Sequence, residues 1–524
     1  MLSGILFSDC HRNAPVKSED RPNIIFIMTD DHAYQAISTY GSILMKTPNI
    51  DRLAEEGMRF DQAFVTNSIC APSRAVALTG KFSHLNGLKD NLDAFDSTQV
   101  TFPKILQANK YQTAIVGKWH LKTQPTGFDY WKVLPDQGDY YHPEFITPDG
   151  IVKEHGYVTD VITDMAIHFI DSLRDQAKPF MLMYHHKAPH REWWPSIEDL
   201  EAFKHEKIPE PATLFDDYRN RGTAAKAAEM RIAEHMGLSN DNKVHPDIIE
   251  NLNFDEFLDW YERIYLSQYD RLTDEEKKKW DTVYGPINAD FAANPPEGKA
   301  LTYWKYQRYM QDYLGTIKSV DDNIGRLLEH LKIRGLADNT LIFYTSDQGF
   351  YLGEHGWFDK RFMYEPSFRT PLIIRWPEKI QPGQIDSHLV QNIDFAPTIL
   401  AAAGVEIPDD MQGMSLLPLF SGNHIEWRDA LYYHYYEYPG IHMVKRHYGV
   451  RTDRYKLIHF YYDVDEWELY DLPNDPDELM NVYDDPEYGE IRNALQKRLG
   501  ELRKEYGDSD ELAMEMLARD LKRR

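Results

Sequence analysis

Asn23-Ile24-Ile25-Phe26-Ile27-Met28-Thr29-Asp30-Asp31 is the stretch from which the fold can be read. A near-continuous apolar run of this length suits a strand buried on both faces, as in a parallel sheet covered by helices. It ends in two adjacent carboxylates, which are costly unless solvated, paired or bound to a metal. The same design recurs along the chain. Thr113–Gly117 reads as a strand ending in Lys118-Trp119-His120. Pro179–Tyr184 ends in His185-His186-Lys187-Ala188-Pro189-His190, and Thr340–Thr345 ends in Ser346-Asp347-Gln348-Gly349. Ligands of open α/β sheets bind outside the carboxyl ends of the strands. Four strands that each end in a polar cluster therefore predict one composite site along one edge of one sheet. Thr370–Trp376 repeats the apolar pattern, with Lys360 shortly before it.

Helical spacing separates these runs at Asn49–Met58, Thr101–Lys110, Val158–Leu173 and Asp394–Ala403. Tyr306–Ile333 reads as a long amphipathic helix with an interruption at Gly315 and a stop at Gly335. The chain thus divides into a leader (1–22), an α/β domain (23–420) with a charged helical insertion at about 193–300, and a C-terminal subdomain (421–524). The last is an antiparallel sheet: Tyr448–Tyr462 alternates as one strand, Asp463-Val464-Asp465 turns, and Glu466–Leu472 returns. Glu490–Tyr506 is its terminal helix.

Between the first two strands lies Cys70-Ala71-Pro72-Ser73-Arg74-Ala75-Val76-Ala77-Leu78-Thr79-Gly80, which contains one of only two cysteines. Pro72 suits a first helical turn and Gly80 a stop. Cys70 then sits at a helix N-terminus, where unpaired N–H groups favour an anion. Arg74 follows one turn later. A lone cysteine is more often a small buried hydrophobe, yet this setting suits attack on an anionic ester.

Composition narrows the partners. Lys+Arg 58 against Asp+Glu 84 leaves a net charge of −26, which argues against nucleic acid, whose phosphates demand a basic face. Two cysteines exclude a disulfide scaffold. No apolar run approaches the roughly 18 residues of a membrane span. Met1–Phe7, ending near Ser8-Asp9-Cys10, reads either as an export signal remnant with a lipidated Cys10 or as a disordered leader.

Residue types assemble a chemistry. Asp30, Asp31, Asp347 and Gln348 offer hard oxygen ligands suited to Ca²⁺ or Mg²⁺. Arg74, Lys118 and Lys360 offer fixed positive charge for a group whose charge moves during transfer. His120 and His190 exchange protons near neutral pH. His442 and His447, in the tyrosine-rich tail, read as packing residues within reach of a ligand.

C-x-P-S-R-x-x-x-L-T-G at Cys70–Gly80 resembles the signature of the type I sulfatases, and the resemblance extends from about Asn23 to Leu472. It implies an alkaline-phosphatase-like α/β/α sandwich with a mostly parallel central sheet. It implies that Cys70 is oxidised by a formylglycine-generating enzyme to 3-oxoalanine (formylglycine), whose hydrate is the nucleophile. The metal, Ca²⁺ or Mg²⁺, would be held by Asp30, Asp31, Cys70, Asp347 and Gln348, the last often Asn in the family. Arg74 would stabilise the hydrate, Lys118 and His120 match the family's G-K-W-H with His120 helping to eliminate sulfate and restore the aldehyde, and His190 with Lys360 would bind the sulfate and assist the leaving oxygen. Gly80–Gly87, Lys187–Arg191 and Gly353–Lys360 look most like bacterial carbohydrate sulfatases of the N-acetylglucosamine-6-sulfatase branch, which act on heparan, keratan or mucin fragments in the periplasm. The alternatives are another sulfated sugar position, a phosphonate monoester or phosphodiester hydrolase of the same fold, and a non-catalytic sugar-binding relative.

Overall fold

Seven consecutive buried residues form β1 (Asn23–Thr29), and their side chains alternate between two separate cores. Ile24, Phe26 and Met28 face one, and Ile25 and Ile27 face the other. In the computed structural model, which describes residues 21–252, 254, 258–422 and 425–523, this strand is central to a ten-stranded sheet. Its other strands are β2 (Met58–Phe60), β3 (Gln112–Lys118), β4 (Tyr130–Leu134), β5 (Glu144–Thr147), β6 (Gly150–Lys153), β7 (Phe180–His185), β8 (Thr340–Ser346), β9 (Leu372–Arg375) and β10 (Gln384–Asp386). The spatial order is β10-β2-β9-β8-β1-β7-β3-β4-β5-β6. The five strands from β8 to β4 run parallel.

Helices cover both faces. Cys70–Thr79, Phe102–Ala108 and Phe395–Ala402 pack on the Phe26 side. Pro48–Glu55, Val158–His168 and Gly298–Ile333 pack on the Ile25 side. The result is an α/β/α sandwich whose polar strand ends share one edge. A second sheet of four antiparallel strands, β11 (Ala430–Tyr435), β12 (His447–Thr452), β13 (Tyr455–Phe460) and β14 (Glu466–Asp471), stands beside it. One face of that sheet packs on the helix Gly489–Glu505 through Leu495, Leu499 and Leu502. Its other face packs on Trp357, Phe362 and Phe368, and Tyr433 donates a hydrogen bond to the Arg361 carbonyl at 2.6 Å. The C-terminal sheet therefore braces the loop that carries Lys360.

Several local expectations are corrected. The helix Gly298–Ile333 runs unbroken for 36 residues. Gly315 does not interrupt it; a Cβ there would lie 3.0 Å from Pro195, so the glycine serves close packing. Tyr448–Tyr462 is two strands, joined at Asp453-Arg454, a turn without Gly or Pro that left the alternation looking continuous. The helix Gly489–Glu505 is followed by another, Asp510–Arg523. Phe169–Leu173 ends the Val158 helix as a π-turn. The stretch from Trp193 to Gly222 is irregular rather than helical, and helices begin at Thr223–Ala227. Among the described residues no helix is long and apolar enough to cross a membrane. The leader reading at Met1–Phe7 and Cys10 lies outside the described residues.

Candidate active site

β1 and β8 are parallel neighbours with Thr29 opposite Ser346. Asp30-Asp31 and Asp347-Gln348 therefore leave the sheet side by side. The helix Cys70–Thr79 brings its N-terminus to the same edge; every residue in it is buried, and Gly80 closes it at φ 63°. Asn392 donates to Ser73 Oγ at 2.9 Å, and the Ser73 hydroxyl donates to the Asp347 carbonyl, which pins the first turn to β8.

Ligand atoms of Asp30, Asp31, Cys70 and Asp347 all lie within 4.8 Å of one another, and all four residues are buried. Cys70 Sγ donates to Asp30 Oδ1 at 3.3 Å. The Gln348 amide reaches both Asp31 and Cys70 Sγ, the latter at 3.7 Å, while its Oε1 is sealed without a partner. Amide oxygen and nitrogen exchange by a simple flip, so Gln348 can offer that oxygen to the cluster. Three carboxylates and an orphaned amide oxygen fit a hard divalent cation. Burial, opposed by Lys360 and reinforced by Asp347 and Asp359, pushes Asp31 up to about 6. Burial also pushes the Cys70 thiol well above its usual range.

Three cations ring the cluster. Arg74 donates from Nε at 3.0 Å and Nη2 at 2.9 Å to Asp347 Oδ2, and from Nη1 at 3.0 Å to the Lys118 carbonyl. Lys118 pairs with Asp30 and donates to Gln137 Oε1 at 2.6 Å. Lys360 donates to Asp31 Oδ2 at 2.7 Å. Because β9 runs antiparallel to β8, its start lies at the carboxyl edge, and a residue upstream of it reaches the site. Gly117 makes the approach at β3 feasible: its φ is 94°, and a Cβ would meet the His185 carbonyl oxygen at 1.8 Å.

His120 and His190 flank the ring. His120 Nε2 lies 3.3 Å from Asp136, its Nδ1 is sealed without a partner, and burial pushes it down to about 4. His190 Nε2 lies 3.9 Å from Asp31 Oδ2, and its Nδ1 bonds the Arg191 carbonyl. Burial, then Lys118, Lys360 and Lys187, hold it well below the usual histidine range. All the candidate residues thus share one edge. His442 meets Asp359 Oδ2 at 3.2 Å next to Lys360, whereas His447 is a packing residue that accepts from the Met363 amide at 3.1 Å.

The apolar-run pattern does not single out Asp136 and Gln137. They follow β4, whose Tyr130-Trp131-Lys132-Val133-Leu134 lacks the continuous apolar character of its neighbours. The signal was positional: a polar turn after a strand, like the other four clusters. Beside His120 a cavity of about 590 Å³ opens, walled by Leu92, Trp119, Asp136, Gln137 and Ile441.

The family described as Sulfatase matches residues 22–405. The chain belongs to the sulfatase family. A second family, N-sulphoglucosamine sulphohydrolase, C-terminal, matches residues 353–505. An N-acetylglucosamine-6-O-sulfatase of Bacteroides thetaiotaomicron is 51% identical over 97% of this sulfatase and 91% of its own length. The human N-acetylglucosamine-6-sulfatase is 28% identical over 79% of this chain and 67% of its own. A solved structure bound to its substrate D-glucosamine-2-N,6-O-disulfate superposes with a TM-score of 0.89 at 51% identity, covering 94% of this chain and 99% of that one. The phosphonate monoester hydrolase of Agrobacterium radiobacter shares the fold, at a TM-score of 0.66 and 21% identity over 93% of this chain and 96% of its own. The sandwich is of the alkaline-phosphatase-like kind.

Proposed function

We propose that this sulfuric ester hydrolase removes the 6-O-sulfate of N-acetylglucosamine in glycosaminoglycan or mucin fragments. The observation that carries the reading is the convergence of Asp30, Asp31, Cys70 and Asp347 within 4.8 Å at the sheet edge, among Arg74, Lys118, Lys360 and His190. The choice of sugar is supported by the 51% identical relative named for that activity. Asp30, Asp31, Asp347, Gln348 and the residue at position 70 hold Ca²⁺. Formylglycine at position 70 supplies a hydrate oxygen as nucleophile, and the ion supplies charge against the sulfate oxygens.

The chain's own groups do the rest. Arg74 fixes Asp347 and adds charge beneath the nucleophile. Lys118 lies one carboxylate away from position 70, through Asp30, and offers charge to a sulfate oxygen. Lys360 does so through Asp31. His190 is partly exposed at the mouth; the anionic sulfate ester, once bound beside it, offsets the burial and the neighbouring lysines that keep it neutral, and the protonated ring then gives the departing alcohol its proton. His120, paired with Asp136, takes a proton as sulfate is expelled. We assign residues 23–420 to the catalytic domain and 421–524 to a C-terminal subdomain, with export to the periplasm, where such glycan fragments are met.

The test is sulfate release from N-acetylglucosamine 6-sulfate by protein matured with a formylglycine-generating enzyme, with Cys70→Ala and chelator-treated protein alongside. Release is expected only from the matured, metal-replete enzyme. Absence of release from protein whose formylglycine is confirmed by mass overturns the assigned sugar.

A further inference from the structure

The loop from His185 to Trp193 carries four ionisable groups besides the histidines of its start: Lys187, His190, Arg191 and Glu192. It is held firmly. The His186 amide donates to the Met28 carbonyl at 2.9 Å, the His190 amide donates to the Lys187 carbonyl at 3.0 Å, and the Tyr140 hydroxyl donates to the His190 carbonyl at 2.6 Å. Arg191 is spent on this anchoring. It donates twice to Asp241, at 2.6 Å each, and stacks over Phe358 at 4.9 Å.

Lys187 and Glu192 are not spent. Lys187 is only 3% exposed, and its amine lies 4.6 Å from the Tyr140 ring. Among the described residues it has no hydrogen-bond or ion-pair partner, and neither has the half-buried Glu192. Each charge acts on the other, yet they do not close into a salt bridge. Neither the Lys187 amine nor the Glu192 carboxylate is sealed, so solvent reaches both, and a ligand that displaces that water meets two unpaired charges already held in place on a rigid loop. The two bracket His190, and the Lys187 charge is one of those felt by His190. The alcohol that takes a proton from His190 brings its carbon skeleton to that side.

We propose that Lys187 and Glu192 bind the sugar that bears the sulfate, Glu192 accepting from a hydroxyl or amide N–H of the pyranose and Lys187 donating to an oxygen of the same ring. This rests on the functional reading above and adds the groups that recognise the sugar rather than the sulfate.

The experiment pairs Glu192→Gln and Lys187→Met with N-acetylglucosamine 6-sulfate, glucose 6-sulfate, and the 3-deoxy and 4-deoxy analogues of the first. Each variant is expected to lose about ten- to hundredfold in kcat/KM on the full substrate, mostly through KM, as for a hydrogen bond to a charged group left unmade. On the one analogue that lacks the partner group, the loss should shrink to about threefold or less. An equal loss on every substrate, or none on any, overturns the proposal, because a structural or sulfate-holding role is blind to ring substituents. Should either variant fail to melt cooperatively, Glu192→Asp and Lys187→Arg, which keep the charge, take its place under the same criterion. If wild-type enzyme releases no sulfate from N-acetylglucosamine 6-sulfate, the assigned sugar fails on its own, and the same comparison on the sugar it does hydrolyse decides this inference.

Discussion

Replacing Arg74 by lysine separates charge from geometry at the centre of the site. The guanidinium makes three short bonds: Nε and Nη2 to Asp347, and Nη1 to the Lys118 carbonyl. A lysine keeps one positive charge and at best one of those bonds. The Asp347 carboxylate stays paired, so the uncompensated-charge penalty of about 3–5 kcal/mol expected of Arg74→Met is avoided. Two bonds to or from a charged group are lost, at about 1.5 kcal/mol each in the lower part of their range. The sum, about 3 kcal/mol, corresponds to roughly a hundredfold at 1.36 kcal/mol per factor of ten. Because Asp347 stands in the ligand cluster, the loss should appear in kcat/KM as well as in the melting temperature. The assay is kcat/KM of matured Arg74→Lys on the sulfated sugar, with thermal melting followed by circular dichroism. Activity within about threefold of wild type, at an unchanged melting temperature, would refute the reasoning, since charge alone would then suffice.

Two further outcomes follow from the geometry. Gly117→Ala must place a Cβ 1.8 Å from the His185 carbonyl oxygen at a φ of 94°, and should cost about 3 kcal/mol or more, seen as a lowered melting temperature or insoluble protein. His434, buried against Asp508 at 2.8 Å, is pushed down to about 4 from 6.5 by burial, which outweighs the opposing pull of Asp508. A depressed histidine binds fewer protons in the folded state than in the unfolded one, so its contribution is full above pH 6.5 and is lost as pH falls toward 4. Between those limits wild type should lose about 3 kcal/mol more stability than His434→Gln, at 1.36 kcal/mol per pKa unit. Parallel urea curves of the two proteins across that range would contradict it.

The amino-acid sequence by itself determined the sheet and most of the site. Runs such as Asn23–Thr29 and Thr340–Ser346 are apolar enough to be buried on both faces, and their polar ends had to share an edge once the strands ran parallel. Cys70 at a helix start and Gly80 at its end are local signals, written in capping chemistry. Tertiary structure alone decided what depends on distant partners. Lys360 reaches Asp31 because β9 is antiparallel and the C-terminal sheet braces its loop, and strand direction is not encoded in an apolar run. Gly315 is a glycine within a continuous helix because Pro195 packs on it, and Asp453-Arg454 turns with no Gly or Pro to mark it. Lys187 and Arg191 read alike in sequence as basic residues of one loop. Only the placement of Asp241, fifty positions away in the chain, shows that one is consumed in anchoring and leaves the other open, because pairing depends on which opposite charge the fold brings within reach.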